Sequence, residues 1–227
     1  MPSSCVLFSG GLDSAVLLAL ERRDASPDLV HPIHVRAGLA WEDAERRAID
    51  RLLAAPAFAS GVAPLTTLTV DMRDVYPATH WAVTGQPPAY DTPDEDVYLD
   101  GRNIVLLSKT AVLAARLKSP RIALGSLSDN PFPDATPAFF DTMARALSLG
   151  LGHTLAIATP LVAFHKDRVV HLGLELGVPL ALSMSCMNPQ GDRHCGECSK
   201  CRERQDAFRA ARVVDETTYA RRWRGDQ

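Results

Sequence analysis

No stretch of this chain stays apolar for the roughly 20 residues that a bilayer-spanning helix requires, which excludes an integral α-helical membrane protein. The first residues carry no basic region ahead of an apolar core, so a secretory leader is not expected. An excess of basic charge is also missing. Lys and Arg number 24 against 27 Asp and Glu, a formal net charge of −3; this argues against a general nucleic-acid-binding surface. The locally basic end, "RRWRGDQ", reads as a solvated tail. Internal repeats and low-complexity tracts are lacking, which leaves a globular domain. With five cysteines and no export signal, thiolate or metal chemistry is expected in place of disulfides. The expected compartment is the cytoplasm.

What remains is an ordinary globular composition, 46% hydrophobic and 22% charged over 227 residues, enough for one sizeable α/β domain with a small appendage. The pattern alternates along the chain. "CVLFS" reads as a buried strand and Asp13 to Arg23 as a helix. "LVHPIHV" is a second strand, followed by a charged helix from Trp41 to about Ala55, and "TLTVDM" is a third strand. A stretch from Tyr76 to Gly101, rich in proline and acids, is too irregular for core and reads as an excursion beside a site. Beyond it come a helix in "NIVLLSKTAVLAARLK", a strand in "RIALGSL", a helix in "TPAFFDTMARALSLGLG", a strand in "TLAIATPL" and a short helix in "HKDRVVHLGLELG". Strands alternating with helices imply right-handed βαβ units and a parallel sheet, with ligands at the carboxyl ends of its strands.

Two stretches carry chemistry. In "VLFSGGLDSAVLL" an apolar strand breaks into Ser9-Gly10-Gly11-Leu12-Asp13-Ser14 and resumes at once as a helix. Glycines admit a ligand close to the backbone, and the helix start offers free N–H groups and partial positive charge, so the turn is an anion cradle. It lacks the Gly-Lys-Ser/Thr of a Walker A loop and the third glycine of a dinucleotide fingerprint. Asp13 admits two readings: a helix cap, or a carboxylate that meets a phosphate through an intervening magnesium ion. The second stretch is "SCMNPQGDRHCGECSKC". Cys195, Cys198 and Cys201 form two overlapping C-x-x-C steps, and Cys186 returns as a fourth thiolate. Four thiolates with no open position describe a structural tetrahedral zinc site. His194 is a rival ligand, and Cys5, in the first strand, is assigned to the core.

"SGGLDS" after an N-terminal strand resembles the signature of the ATP-pyrophosphatase superfamily. Taken with "GRN", "ALSLG", "TPL" before a lysine helix, "LGVP" and the terminal "SC…CGxCxxC", the chain resembles the 7-cyano-7-deazaguanine synthases, the QueC family, from about Val6 to Phe208. The resemblance implies a doubly wound parallel α/β sheet of the HUP-like Rossmannoid type over 1–180, with a C-terminal helical segment and zinc knuckle over 181–227. It implies ATP, Mg2+ and one structural Zn2+, with 7-carboxy-7-deazaguanine and ammonia as substrates, a homodimer, and no direct contact with nucleic acid or membrane. Residue by residue, Phe8, Ser9, Gly10, Gly11, Leu12, Asp13, Ser14, Ala15, Val16, Leu17 and Leu18 would hold ATP. Asp13, Arg102 and Lys166 would act in catalysis, and Phe132, Asp134, Arg102 and Asn103 would meet the deazaguanine.

The chain departs from the family pattern after the second strand. There the usual tyrosine-glycine-glutamine-arginine-histidine is replaced by Ala37-Gly38-Leu39-Ala40-Trp41. The loop "SLSDNPFPDATP" is shortened, and its common cysteine-arginine is Ala135-Thr136. These changes admit an alternative in which the activated carboxylate passes to another amine, a protein amine as in QueC-like antiviral defence proteins, or in which the reaction stops at the amide. A tRNA-thiolating enzyme of the same superfamily is a further reading, opposed by the net charge and by cysteines committed to zinc.

Overall fold

A computed structural model describes residues 4–25, 28–128 and 130–221. Five short parallel strands make the sheet: β1 (Ser4–Leu7), β2 (His31–Arg36), β3 (Thr66–Thr69), β4 (Arg121–Ala123) and β5 (Ala156–Ala158), in the order β3-β2-β1-β4-β5. β1 is central, with Cys5 opposite His31 on one side and Ile122 on the other. That order reverses direction at β1, between β2 and β4, and opens the crevice where doubly wound sheets bind ligands.

Helices cover both faces. On one side α1 (Leu12–Ala25), α2 (Glu42–Leu53), α6 (Lys166–Glu175) and α7 (Ser199–Ala211) share a core of Leu12, Val16, Leu17, Ile49, Leu52, Val169, Val170 and Phe208. On the other, α4 (Arg102–Arg116) and α5 (Pro137–Leu151) bury Leu107, Ala111, Ala114 and Phe140 against Cys5, Ile33 and Ile122. Local chemistry sets the ends of α5. The Thr136 hydroxyl accepts from the Phe139 N–H at 3.2 Å, Pro137 opens the first turn, and Gly152 closes the helix at φ +58°. Cys5 has no exposure and its thiol is pushed up by burial, consistent with core.

The element types follow the periodicities, but the strands are shorter than the apolar runs. "RIALGSL" is strand only over Arg121–Ala123, because the run beyond it turns away to wall the crevice. The excursion from Tyr76 to Gly101 requires a correction. It contains a helical turn, α3 (Trp81–Thr84), and a core of its own in which Tyr76, Ala82, Val97 and Leu99 pack on Ala37, Leu39 and Trp41. Trp41 and Trp81 stack with centroids 5.6 Å apart and planes 9° from parallel. The proline and acid signal marked an irregular backbone correctly and hid the apolar positions spaced within it. No described helix is long and apolar enough to cross a membrane. Residues 222–227 of the basic tail lie outside the described residues; Arg221 is exposed and pairs with Glu197 at 3.1 Å.

Candidate active site

β1 ends at Leu7, and Ser9, Gly10 and Gly11 turn the chain into α1. Gly10 sits at φ +76°, where a Cβ would stand 2.9 Å from Ile49 and 3.1 Å from the Glu45 carbonyl oxygen, so only glycine fits. The first intrahelical bond runs from the Ala15 N–H to the Gly11 carbonyl at 3.0 Å, which leaves the N–H groups of Leu12, Asp13 and Ser14 without an intrahelical acceptor; the Gly11 N–H donates to Ser9 Oγ at 3.3 Å. Ser14 Oγ donates to the Gly11 carbonyl at 3.0 Å and lies 3.3 Å from Ser9 Oγ, fixing both hydroxyls on the loop.

The loop floors a crevice of about 820 Å³, counted out to bulk solvent, walled by Phe8, Asp13, His34, Glu45, Arg102 and Asn103 among others. Among the described residues six buried side-chain polar atoms lack a hydrogen-bond partner, and three of them belong to this lining: Asp13 Oδ1, His34 Nε2 and Arg102 Nε. Buried polar groups are rarely left unpaired, and three around one crevice describe a surface built for a polar ligand. The other Asp13 oxygen pairs with Lys166 at 3.1 Å, and Lys166 also binds Glu203. Burial alone would lower the Lys166 ammonium, but Asp13 and Glu203 outweigh it and hold it protonated. Glu203 stands on α7, so the C-terminal segment reaches Asp13 of the crevice through Lys166. The same segment holds the loop by its backbone: the Met184 N–H donates to the Gly10 carbonyl at 2.8 Å.

Other assigned residues lie elsewhere. Leu12, Ala15, Val16, Leu17 and Leu18 turn their side chains into the core. Phe132 stacks on Tyr98, with centroids 5.1 Å apart, and packs between two clusters. Asp134, 5% exposed, faces the start of α4 rather than the crevice. Its Oδ2 accepts the Asn103 N–H at 2.9 Å, and its carbonyl oxygen accepts from Asn103 Nδ2 at 3.0 Å. Gly101 offers α4 no side-chain cap, so Asp134 does that work from a distant loop. Arg102 and Asn103 are thereby set on the crevice rim.

His34 and Glu45 line the crevice and were not singled out from the sequence. The signal for His34 was its place in the carboxyl half of the second strand. For Glu45 it was a carboxylate on the face of α2 that also carries Trp41, Ala48 and Leu52. His34 Nδ1 lies 3.3 Å from the Phe8 carbonyl oxygen, and burial pushes its pKa down, so the ring is neutral.

Cys186, Cys195, Cys198 and Cys201 converge, all buried, with their sulfurs within 4.8 Å of one another. Three of the separations are 4.0, 3.8 and 3.5 Å. A tetrahedron with Zn–S bonds of about 2.3 Å has edges of about 3.8 Å, so the donor set fits a four-thiolate metal site. The N–H groups of Asn188 and Cys195 point at Cys186, and those of Gly196 and Glu197 at Cys201 and Cys195. His194 stands outside the set, its Nε2 accepting the Ser185 N–H at 3.0 Å. Around the cluster the chain is also held without metal. Arg204, fully buried, donates to Thr217, Ser183, Ser185 and the Leu180 carbonyl oxygen.

A family model described as queuosine biosynthesis protein QueC matches residues 3–212. The chain is 31% identical to a 7-cyano-7-deazaguanine synthase of Acidobacterium capsulatum, covering 96% of each protein. It is 34% identical to one of Methanopyrus kandleri, covering 96% of this chain and 99% of the relative. Among solved structures, the U34-tRNA thiolase NcsA from Methanococcus maripaludis, with its [4Fe-4S] cluster, superposes with a TM-score of 0.51 at 13% identity. That match covers 94% of this chain and 73% of the thiolase, and it is a likeness of fold.

Proposed function

The chain belongs to the QueC family, and from that premise we propose that it is an ATP-dependent ligase. In this reading it adenylates the carboxylate of 7-carboxy-7-deazaguanine and converts it with ammonia, through the amide, to 7-cyano-7-deazaguanine. The observation that carries the reading is the ring of unpartnered buried atoms, Asp13 Oδ1, His34 Nε2 and Arg102 Nε, around a glycine loop at the head of a helix. A nucleotide triphosphate and a planar carboxylate supply the acceptors and donors that this ring lacks.

The roles follow from the placements. The N–H groups at the start of α1 and the Ser9 and Ser14 hydroxyls receive the phosphates. Asp13, with one oxygen committed to Lys166 and one unpaired, suits a divalent cation, which when bound would neutralise charge growing on the departing pyrophosphate. Lys166 adds a fixed positive charge at the same place, and Glu203 keeps it aimed. Arg102, permanently charged on the rim, orients the carboxylate for attack on the α-phosphorus. No side chain need form a covalent bond; positioning and fixed charge supply the rate. The four-sulfur cluster fits zinc, which would tie Cys186 to the start of α7.

Incubation with ATP, Mg2+, 7-carboxy-7-deazaguanine and ammonia, with products identified by mass, tests the reading. The nitrile and two AMP per turnover are expected. The altered Ala37–Trp41 stretch, stacked through Trp41 on Trp81, favours a second reading in which another amine is used or the amide is final. Amide without nitrile would select it, and absence of AMP would sink both. Thiolation of tRNA is opposed by the net charge of −3.

A further inference from the structure

We propose that Glu45 is the proton acceptor for the amine that displaces AMP, a role that rests on the adenylating reading above. Glu45 projects from α2 into the wall of the crevice that also holds Asp13 and Arg102, and it is 8% exposed. Among the described residues its side chain has one hydrogen bond, from Trp41 Nε1 to Oε1 at 3.2 Å, and no ion pair. A buried carboxylate with no cation in ion-pair contact is costly to ionise, which leaves it ready to hold a proton. The other carboxylate of the crevice, Asp13, is already engaged by Lys166.

The proton balance of the reaction asks for such a group. As the amine nitrogen bonds to the acyl carbon, the carbon–oxygen bond to AMP breaks and AMP leaves with the electron pair. The nitrogen must then shed one proton to become a neutral amide. Glu45 takes that proton onto a carboxylate oxygen and passes it to water. Its surroundings suit it to the task at neutral pH. Burial raises the carboxyl to about 7, where the ionised and protonated forms are both populated. The Arg102 charge opposes that rise, Glu42 adds to it, and the Trp41 hydrogen bond and Arg36 oppose it. The remaining titratable groups of the wall are Asp13 and neutral His34.

The test separates the two half-reactions. Exchange of labelled pyrophosphate into ATP, dependent on 7-carboxy-7-deazaguanine, reads adenylation; amide formed across pH 5.5–9 at a fixed concentration of free NH3 reads amination. Glu45→Gln, which keeps the volume and an acceptor for Trp41, should lower amination about 100-fold. Exchange should fall at least about tenfold less than amination. The rise of amination near pH 7 should vanish. Trp41→Phe, which removes the hydrogen bond that favours the ionised form, should keep that rise and move it to higher pH. Equal losses of exchange and amination, or a pH rise that survives Glu45→Gln and disappears in His34→Gln, would overturn the assignment. Absence of exchange in the unsubstituted protein would instead remove the adenylating reading, and the role of Glu45 with it.

Discussion

The crevice at the head of α1 and the sulfur cluster beside α7 are both built from buried polar atoms, and they treat those atoms in opposite ways. In the cluster, four sulfurs close on one another and take N–H groups from the neighbouring backbone. In the crevice, Asp13, His34 and Arg102 each keep a buried atom without a partner among the described residues. A closed donor set favours a permanent occupant and serves stability; an open one stores unpaired polarity that a transient ligand relieves. The two are not independent, since α7 sends Glu203 to Lys166 and the segment before it sends the Met184 N–H to Gly10.

That linkage sets the largest expected effect. Cys186→Ser, Cys195→Ser, Cys198→Ser and Cys201→Ser should each abolish binding of the one zinc ion per chain that we propose for the cluster and expose the segment after Pro179 to proteolysis, while Cys5→Ser leaves zinc binding unchanged. ATP turnover should fall with the metal, because Glu203 loses its anchorage; elemental analysis beside AMP release checks both. A full metal complement in Cys186→Ser would bring His194 into the set. The Arg204 contacts to Thr217, Ser183, Ser185 and Leu180 predict local loosening rather than global unfolding, readable by hydrogen exchange.

Within the crevice, Asp13→Asn should lower AMP formation by about tenfold or more, about 1.4 kcal/mol of transition-state stabilisation, with the melting temperature nearly kept. Unchanged turnover would reduce Asp13 to a helix-start residue. Glu203 makes the comparison sensitive to pH. Burial would raise its carboxyl, but Lys166 and Lys200 outweigh burial and hold it at about 2, below its ordinary 4.5. Its stabilisation is therefore complete above about pH 4.5 and is lost as the pH falls toward 2. Acid titration of Glu203→Gln should show a shallower loss across that window, and an identical curve would break the proposed tie between segment and loop.

The smallest effect concerns Asp134. As the carboxylate that caps α4, it should cost about 1–2 kcal/mol of stability on substitution by Ala, measured by denaturant. Any loss of deazaguanine affinity should follow from displaced Arg102 and Asn103. Unchanged stability with abolished binding would place its carboxylate on the ligand instead.

Local chemistry made much of this molecule legible in advance. The strand–glycine–helix break at Ser9–Ser14 announces a turn from β1 into α1, and Gly10 at φ +76° makes it, because glycine and a helix start have fixed backbone consequences. The spacing from Cys195 to Cys201 announces a thiolate cluster, and the four sulfurs do converge. Alternating strand and helix periods imply the parallel sheet for the same kind of reason: each period is a property of a few consecutive residues. Tertiary structure alone decided the rest, since it depends on what distant elements bring to one place. It put Glu203 against Lys166 across 37 positions and turned Asp134 onto the start of α4. It folded the excursion into a core around Trp41 and Trp81, and it aimed His34 and Glu45 into the crevice. A carboxylate on an apolar helix face has one appearance in sequence whether it ends beside a cation, a backbone N–H or an empty crevice. The energy that separates those outcomes is desolvation and pairing, and both exist only once the chain has closed around the residue.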